Sequence, residues 1–237
     1  MSAVSFSSLG LKTEIQENLE TLGYLQPTPI QDQSLPTILA GKDLIAQAQT
    51  GSGKTAAFGL GLLNRLQVAD FTIQALVLCP TRELADQVAR EIRRLGRSIA
   101  NIKVLTLCGG VPVYRQVKSL TRSPHIVVGT PGRVEDLLRK GHLRLQGLQT
   151  LVLDEADRML DMGFQPALDA IIQFTPSKRQ TLLFSATYPE QIDTMARRVM
   201  VDAVKVEINR EMSVATIDQH FYRLEGTQDR FTALLRL

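Results

Sequence analysis

The sequence predicts an α/β fold, a mostly parallel sheet of seven strands covered by helices on both faces. Two observations carry that prediction. Short apolar runs rich in branched residues recur with amphipathic stretches between them, and two phosphate-handling signatures each follow such a run. Strands alternating with helices build a parallel sheet, and ligands then gather at the carboxyl edge of its strands.

Taken in order, amphipathic periodicity predicts helices over 12–22 and 30–39 before the first apolar run, Leu44-Ile45-Ala46. A helix over 55–66 follows the first signature. The run at 75–79 leads into a helix over 82–96, and the run at 104–107 into a shorter one over 113–119. Residues 126–128 and 151–153 are again continuous and apolar, as expected of strands buried on both faces, with a helix over 132–140 between them. The pattern closes with a helix over 164–174, a strand over 182–184, a helix over 189–199 and a strand over 204–208. Residues 1–208 are therefore expected to form one nucleotide-binding domain. Residues 209–216 read as a polar connector, and 217–237 as the truncated start of a second domain, whose 217–224 run could add an eighth strand.

Composition excludes several classes. The chain has 237 residues, 44% of them hydrophobic and 22% charged, enough for one full core. No apolar run approaches the roughly 20 residues that cross a bilayer, and the start lacks a leader pattern, so a cytoplasmic protein without a membrane partner is expected. Cys79 and Cys108 fall in strand segments and read as small buried hydrophobes, neither a disulfide nor a zinc site. His125, His142 and His220 have no ligand-like spacing and read as surface or loop residues. The net charge is only +3, but between Arg82 and Arg122 nine basic residues face three acidic ones. Arg90, Arg93, Arg94 and Arg97 share a helical face, as do Arg115, Lys118 and Arg122. On their own they fit a solvated face better than a phosphate track.

The first signature is Ala48-Gln49-Thr50-Gly51-Ser52-Gly53-Lys54-Thr55, between a strand and a helix N-terminus. Its glycines let backbone N–H groups close around phosphate oxygens, Lys54 supplies a point charge, and Thr55 offers a hydroxyl to magnesium. Ala48 stands where the common pattern has glycine. The second signature is Asp154-Glu155-Ala156-Asp157. Asp154 suits a magnesium ion held directly or through water, and Glu155 suits the orientation and deprotonation of an attacking water. Met159, Met162 and Phe164 beyond it read as packing.

With these motifs in place the chain resembles the DEAD-box RNA helicases over about residues 5–208. Gly23-Tyr24-Leu25-Gln26-Pro27-Thr28-Pro29-Ile30-Gln31 is similar to the family's adenine-reading motif, with Phe6 at its upstream aromatic position. The resemblance implies that the amide of Gln31 pairs with adenine and that Tyr24 stacks on it. It also implies that Thr50, Gly51, Ser52, Gly53, Lys54 and Thr55 hold the phosphates of ATP. Pro80-Thr81-Arg82, Gly109-Gly110 and Thr130-Pro131-Gly132-Arg133 resemble three RNA-facing motifs. For the glycine pair, a tight turn and close approach to a ligand are equally good readings. Asp157, Ser185 and Thr187 are implied to couple hydrolysis to strand separation.

The implied architecture is a RecA-like P-loop domain, the implied cofactors are ATP and Mg2+, and the implied partners are RNA, read through its backbone, and a missing second RecA-like domain. A monomer is expected. The wording at residues 75–79, 105–110 and 157–164 is closest to a bacterial member acting in ribosome assembly, which makes ribosomal RNA an expected substrate. The resemblance further implies that the second domain supplies arginines to the site, so residues 1–237 alone should turn over ATP very weakly. The alternative is a nucleotide-dependent RNA-binding or partner-docking module without turnover of its own.

Overall fold

The structure is a computed structural model that describes residues 5–208 and His220. The connector and the truncated second-domain start expected over 209–237, with its possible eighth strand, lie, apart from His220, outside the described residues.

A short 3-10 helix, Phe6–Leu9, precedes α1 (Thr13–Thr21) and α2 (Pro29–Leu39). The alternation then runs β1 (Leu44–Gln47), α3 (Lys54–Arg65), β2 (Ala75–Leu78), α4 (Arg82–Leu95), β3 (Val104–Leu107) and α5 (Val113–Leu120). It continues through β4 (Ile126–Gly129), α6 (Pro131–Arg139), β5 (Thr150–Leu153), α7 (Ala156–Asp161) and α8 (Gln165–Gln173). β6 (Gln180–Ser185), α9 (Glu190–Val199) and β7 (Val204–Glu207) complete it. The seven strands fall on the seven apolar runs. α7 is not among the predicted helices, because it begins inside the second signature and runs for only six residues.

All strand pairings are parallel, and the order is β3-β4-β2-β5-β6-β1-β7. Every residue of β2, β4, β5 and β6 is buried, which is why these runs are continuous rather than alternating. Successive side chains still point to opposite faces. Ala75, Val77 and Cys79 join the layer formed with α1 to α4, whereas Leu76 and Leu78 join the layer formed with α6 to α9. Asp43 staples the strand starts, with one carboxylate oxygen accepting Thr181 N–H at 2.7 Å and the other Val201 N–H at 2.8 Å.

The strand order sorts the motifs into two groups. The phosphate-binding loop leaves β1, the acidic signature leaves β5, and Ser185-Ala186-Thr187 leaves β6, which lies between them. The three segments expected to face RNA leave β2, β3 and β4, the other end of the sheet. Both groups occupy the carboxyl edge, where an open parallel sheet binds ligands.

Candidate functional site

A cavity of about 350 Å3 opens over β1 and β5, with Thr50, Gly51, Gly53, Lys54, Thr55, Asp154 and Glu155 in its wall. The loop takes positive φ at Gly51 (82°) and Gly53 (98°), a region open to glycine at little cost. A side chain at Gly53 would also run into Gln31 and Thr28. Ser52 Oγ donates to Gln49 O at 2.8 Å and tightens the turn. Ala48, in place of the usual glycine, is buried, and its N–H donates to Ser185 O at 3.0 Å.

The two signatures touch. Thr50 Oγ1 donates to Glu155 Oε1 at 3.3 Å, and Arg158 Nη1 donates to Glu155 Oε2 at 3.1 Å, so both oxygens of Glu155 are held. Glu155 itself is left-handed, with φ of 50°, a conformation that costs a non-glycine residue about 1 to 3 kcal/mol and concentrates at functional sites. Lys54 is buried and its ammonium donates to Ala48 O at 3.0 Å. Asp154 is 2% exposed. Burial pushes its carboxyl up to about 6 against the pull of Lys54, as expected for an acid without full solvation. The Asp154 carboxylate and the Thr55 hydroxyl line the same cavity and are hard oxygen donors of the kind that suits Mg2+. Among the described residues no cluster of three His, Cys, Asp or Glu side chains could hold a metal, so the remaining ligands would come from phosphates and water.

β6 links both jaws. While Ser185 O accepts from Ala48, Ser185 Oγ accepts Asp157 N–H at 3.3 Å. Asp157 Oδ2 accepts both the N–H and the hydroxyl of Thr187 at 2.9 Å. Burial pushes Asp157 up, but the hydrogen bonds from Thr187, Ser185 and the Arg158 N–H outweigh it and leave its pKa below the usual value.

At the other end of the cavity stand Tyr24, Thr28 and Gln31. Gln31 is buried, its Oε1 accepting Thr28 N–H at 3.0 Å and its Nε2 donating to Gly53 O at 3.1 Å. Thr28 Oγ1 donates to Ser52 O at 2.8 Å. The amide expected to read adenine thus also grips the phosphate loop. Phe6 is buried and packs edge-on to Tyr24 at 6.3 Å, without lining the cavity. The Tyr24 hydroxyl donates to Glu91 Oε1 at 2.7 Å. Burial and that carboxylate push its pKa up to about 12, so the phenol keeps its proton. Sequence reasoning missed Glu91, Leu84 and Gln87, which line the cavity from α4. Their signal was spacing, since positions 84, 87 and 91 recur at helical period.

The second group meets around a cavity of about 430 Å3 that includes Arg82, Gly109 and Gly110. Thr81 caps α4 by accepting Leu84 N–H at 3.2 Å, and Thr130 precedes α6, whose first residue is Pro131. Pro131 is buried and Gly132 exposed. Arg82 Nη1 reaches Gly109 O at 3.4 Å. Gly110 has φ of 77°, which fits the tight-turn reading, and any side chain there would strike the Arg82 guanidinium. Arg133 Nη1 donates to Val111 O at 3.0 Å and to Gln116 Oε1 at 2.8 Å. Gln116 Nε2 donates to Cys108 O at 2.8 Å. This buried amide joins the glycine turn to Arg133, and sequence reasoning missed it, because one polar residue in an amphipathic helix carries no signature.

Three expectations need correction. His125 is fully buried, because Nδ1 accepts Lys103 N–H and Nε2 pairs with Val68 O, both at 3.1 Å. Met162 is 51% exposed, since α7 stops at Asp161 and Gly163 turns the chain, leaving only Met159 and Phe164 to pack. Cys79 and Cys108 are buried as expected, but one residue beyond β2 and β3.

Comparison with known proteins agrees with this geometry. Residues 28–195 match the family model described as DEAD/DEAH box helicase. The chain is 57% identical over 219 residues to the ATP-dependent RNA helicase DbpA of Escherichia coli, covering 92% of this chain and 48% of that protein. It is 44% identical to the DEAD-box ATP-dependent RNA helicase CshA of Geobacillus kaustophilus, covering 98% of this chain and 50% of that one. The crystal structure of a DEAD box protein from the hyperthermophile Methanococcus jannaschii superposes with a TM-score of 0.84 at 38% identity, over 98% of this chain and 62% of that one. The chain spans about half the length of the curated relatives it matches. From the two joined signatures, the seven-stranded parallel sheet and these likenesses, the chain belongs to the DEAD/DEAH box helicase family.

Proposed function

We propose that this chain is the ATP- and RNA-binding half of an RNA helicase that couples ATP hydrolysis to local unwinding of an RNA duplex. The observation that carries the reading is the placement of both motif groups on one carboxyl edge, with Ser185 touching both jaws of the nucleotide cavity.

In this reading Gly51, Gly53 and the start of α3 present N–H groups to the phosphates, and Lys54 moves its ammonium from Ala48 O to the outer phosphates. Thr55 and Asp154 would hold Mg2+, which supplies charge neutralisation between the phosphates. Glu155 takes the proton of the attacking water, positioned by Thr50 and Arg158. Arg82, Gly109, Gly110, Thr130 and Arg133 hold RNA by its backbone, which sets position without reading sequence.

Among the described residues the cavity wall carries one cation, Lys54, against Glu91, Asp154 and Glu155, while Arg94 and Arg158 pair with Glu91 and Glu155 from outside the wall. An arginine supplied to the transferring phosphate is worth about 10³ to 10⁵ in rate in GTPases, and the second domain would bring it here. Turnover by residues 1–237 alone should therefore be very slow. That same charge balance favours a second reading, a nucleotide-dependent docking module that turns over only with a partner.

The reading includes a monomer in the cytoplasm acting on ribosomal RNA, supported by the wording shared with one bacterial member. Among the described residues no helix is long and apolar enough to cross a membrane. Single-turnover hydrolysis under excess protein tests the assignment. Glu155→Gln should keep ATP binding and slow hydrolysis by about 10²-fold or more, while unchanged hydrolysis would refute it. Turnover that rises only with an added protein partner, not with RNA, would favour the docking module.

A further inference from the structure

The cavity at the glycine turn does not end there. β3 is the last strand of the sheet, and its outer edge lies between α4 and α5. A second cavity of about 320 Å3 lies along that edge, lined by Arg93, Lys103 and Arg122, and it shares Leu105 and Ser119 with the first. The two form one groove from Gly110 to Pro124. Residues 103–109 span roughly 20 Å at strand rise, room for the phosphates of several nucleotides.

Charge runs the length of this groove. Arg82 and Arg115 line the near half with Glu83 and Asp86, while the far half has three cations and no carboxylate. None of these five cations forms an ion pair among the described residues. Arg94, Arg139, Lys140, Arg197 and Arg198, which do not line the groove, each hold a carboxylate. The far cations are placed by backbone carbonyls instead, Arg93 Nη2 donating to Val104 O and Lys103 Nζ to Arg122 O, both at 2.8 Å. These bonds position the side chains without an ion pair, although Asp86 lies close enough to act on the charge of Arg93. The bond to Val104 also occupies an outward carbonyl of the edge, which opposes the addition of a peptide strand there.

We propose that this groove is a second RNA-backbone site, in which the strand leaving the turn at Gly109 and Gly110 continues along β3 beneath Arg93, Lys103 and Arg122. The proposal rests on the RNA reading above and extends it. Contacts of this kind add affinity through charge, with no base preference. They make Arg93 of α4, together with Lys103 and Arg122, part of the RNA path.

The test is fluorescence anisotropy of residues 1–237 with oligouridylates of about five and about fifteen nucleotides, at several salt concentrations. Lys103→Gln combined with Arg122→Gln removes two exposed charges and spares Arg93, which caps the edge; a melting curve checks that the fold is kept. The double variant should bind the short oligomer as the wild type does and the long one about tenfold more weakly, with a log–log salt slope shallower by about 1.4, two phosphates on a single strand. If the wild type binds both oligomers and the variant matches it on each, or loses equally on each, the β3 site is wrong and the RNA reading stands. If the wild type binds neither, both fail.

Discussion

Thr187 is tied to Asp157 twice, its backbone N–H and its hydroxyl each donating to Asp157 Oδ2 at 2.9 Å. The same acidic residue donates its own N–H to Ser185 Oγ, and Ser185 O receives Ala48 of the phosphate loop. These bonds join the loop expected to hold phosphate to the turn after β6. Thr187→Ala removes one of the two bonds to a charged acceptor, which is worth about 1.5 to 3 kcal/mol. If this contact carries coupling, ATP with magnesium should raise RNA affinity about fivefold or more in the wild type and leave it nearly unchanged in the variant. Each ligand alone should bind both proteins equally. Equal enhancement in the two proteins would remove Thr187 from the coupling path.

Asp154→Asn should raise the melting temperature at neutral pH. The carboxyl is pushed up to about 6 by burial, above its ordinary 3.8. The folded state therefore holds a proton more tightly than the unfolded one between pH 4 and 6, and stability is lost as pH rises through that window. The amide has no such slope, so the gap between the two proteins should close below about pH 4. The variant should also bind ATP with magnesium more weakly. A variant that melts lower than the wild type at pH 7 would contradict the stated cost of burying this acid.

Gln116→Ala should weaken RNA binding without touching ATP. The substitution leaves Cys108 O and one bond of Arg133 without their partner, a cost of about 1 to 3 kcal/mol each for buried groups. Arg133 and the glycine turn would no longer be held in one arrangement. Affinity for a short oligouridylate should fall about tenfold while nucleotide affinity holds. Parallel losses of both would show a general unfolding effect in place of a local one.

His125 gives the fold its own acid sensitivity. Burial holds its pKa below the ordinary 6.5, and Nδ1 must stay unprotonated to accept Lys103 N–H. With a depressed folded pKa, its contribution is present above pH 6.5 and is lost as pH falls through the folded value. Urea titrations of wild type and His125→Gln between pH 7 and 5 should show a steeper decline for the wild type. Identical slopes would contradict this.

Much of this molecule was legible because its strands are buried on both faces and its motifs sit at their ends. Short continuous runs rich in branched residues, such as Leu76-Val77-Leu78, suit strands buried on both faces, whereas the longer buried run from Ala56 to Leu63 is helical. A glycine loop before Lys54 leaves little freedom of geometry. Pairwise side-chain contacts were not legible. Nothing marks Gln116 as the bridge to Arg133, or Glu91 as the partner of Tyr24, because the residues concerned come from separate elements that only the folded sheet brings together. Gln31 shows the limit from the other side, since its motif implied a contact with adenine and its grip on Gly53 O appeared only in three dimensions. His125 and Met162 were misjudged because burial at a strand start and exposure at a helix end depend on neighbours far along the chain.

The central claim is that the loop at Lys54 and the acids at Asp154 and Glu155 form one site for ATP. The most direct measurement is an equilibrium titration of ATP with magnesium into residues 1–237, wild type and Lys54→Ala, with folding of both confirmed by thermal melting. Saturable binding by the wild type that is lost in the variant is the predicted result. Equal affinity in the two proteins would contradict it.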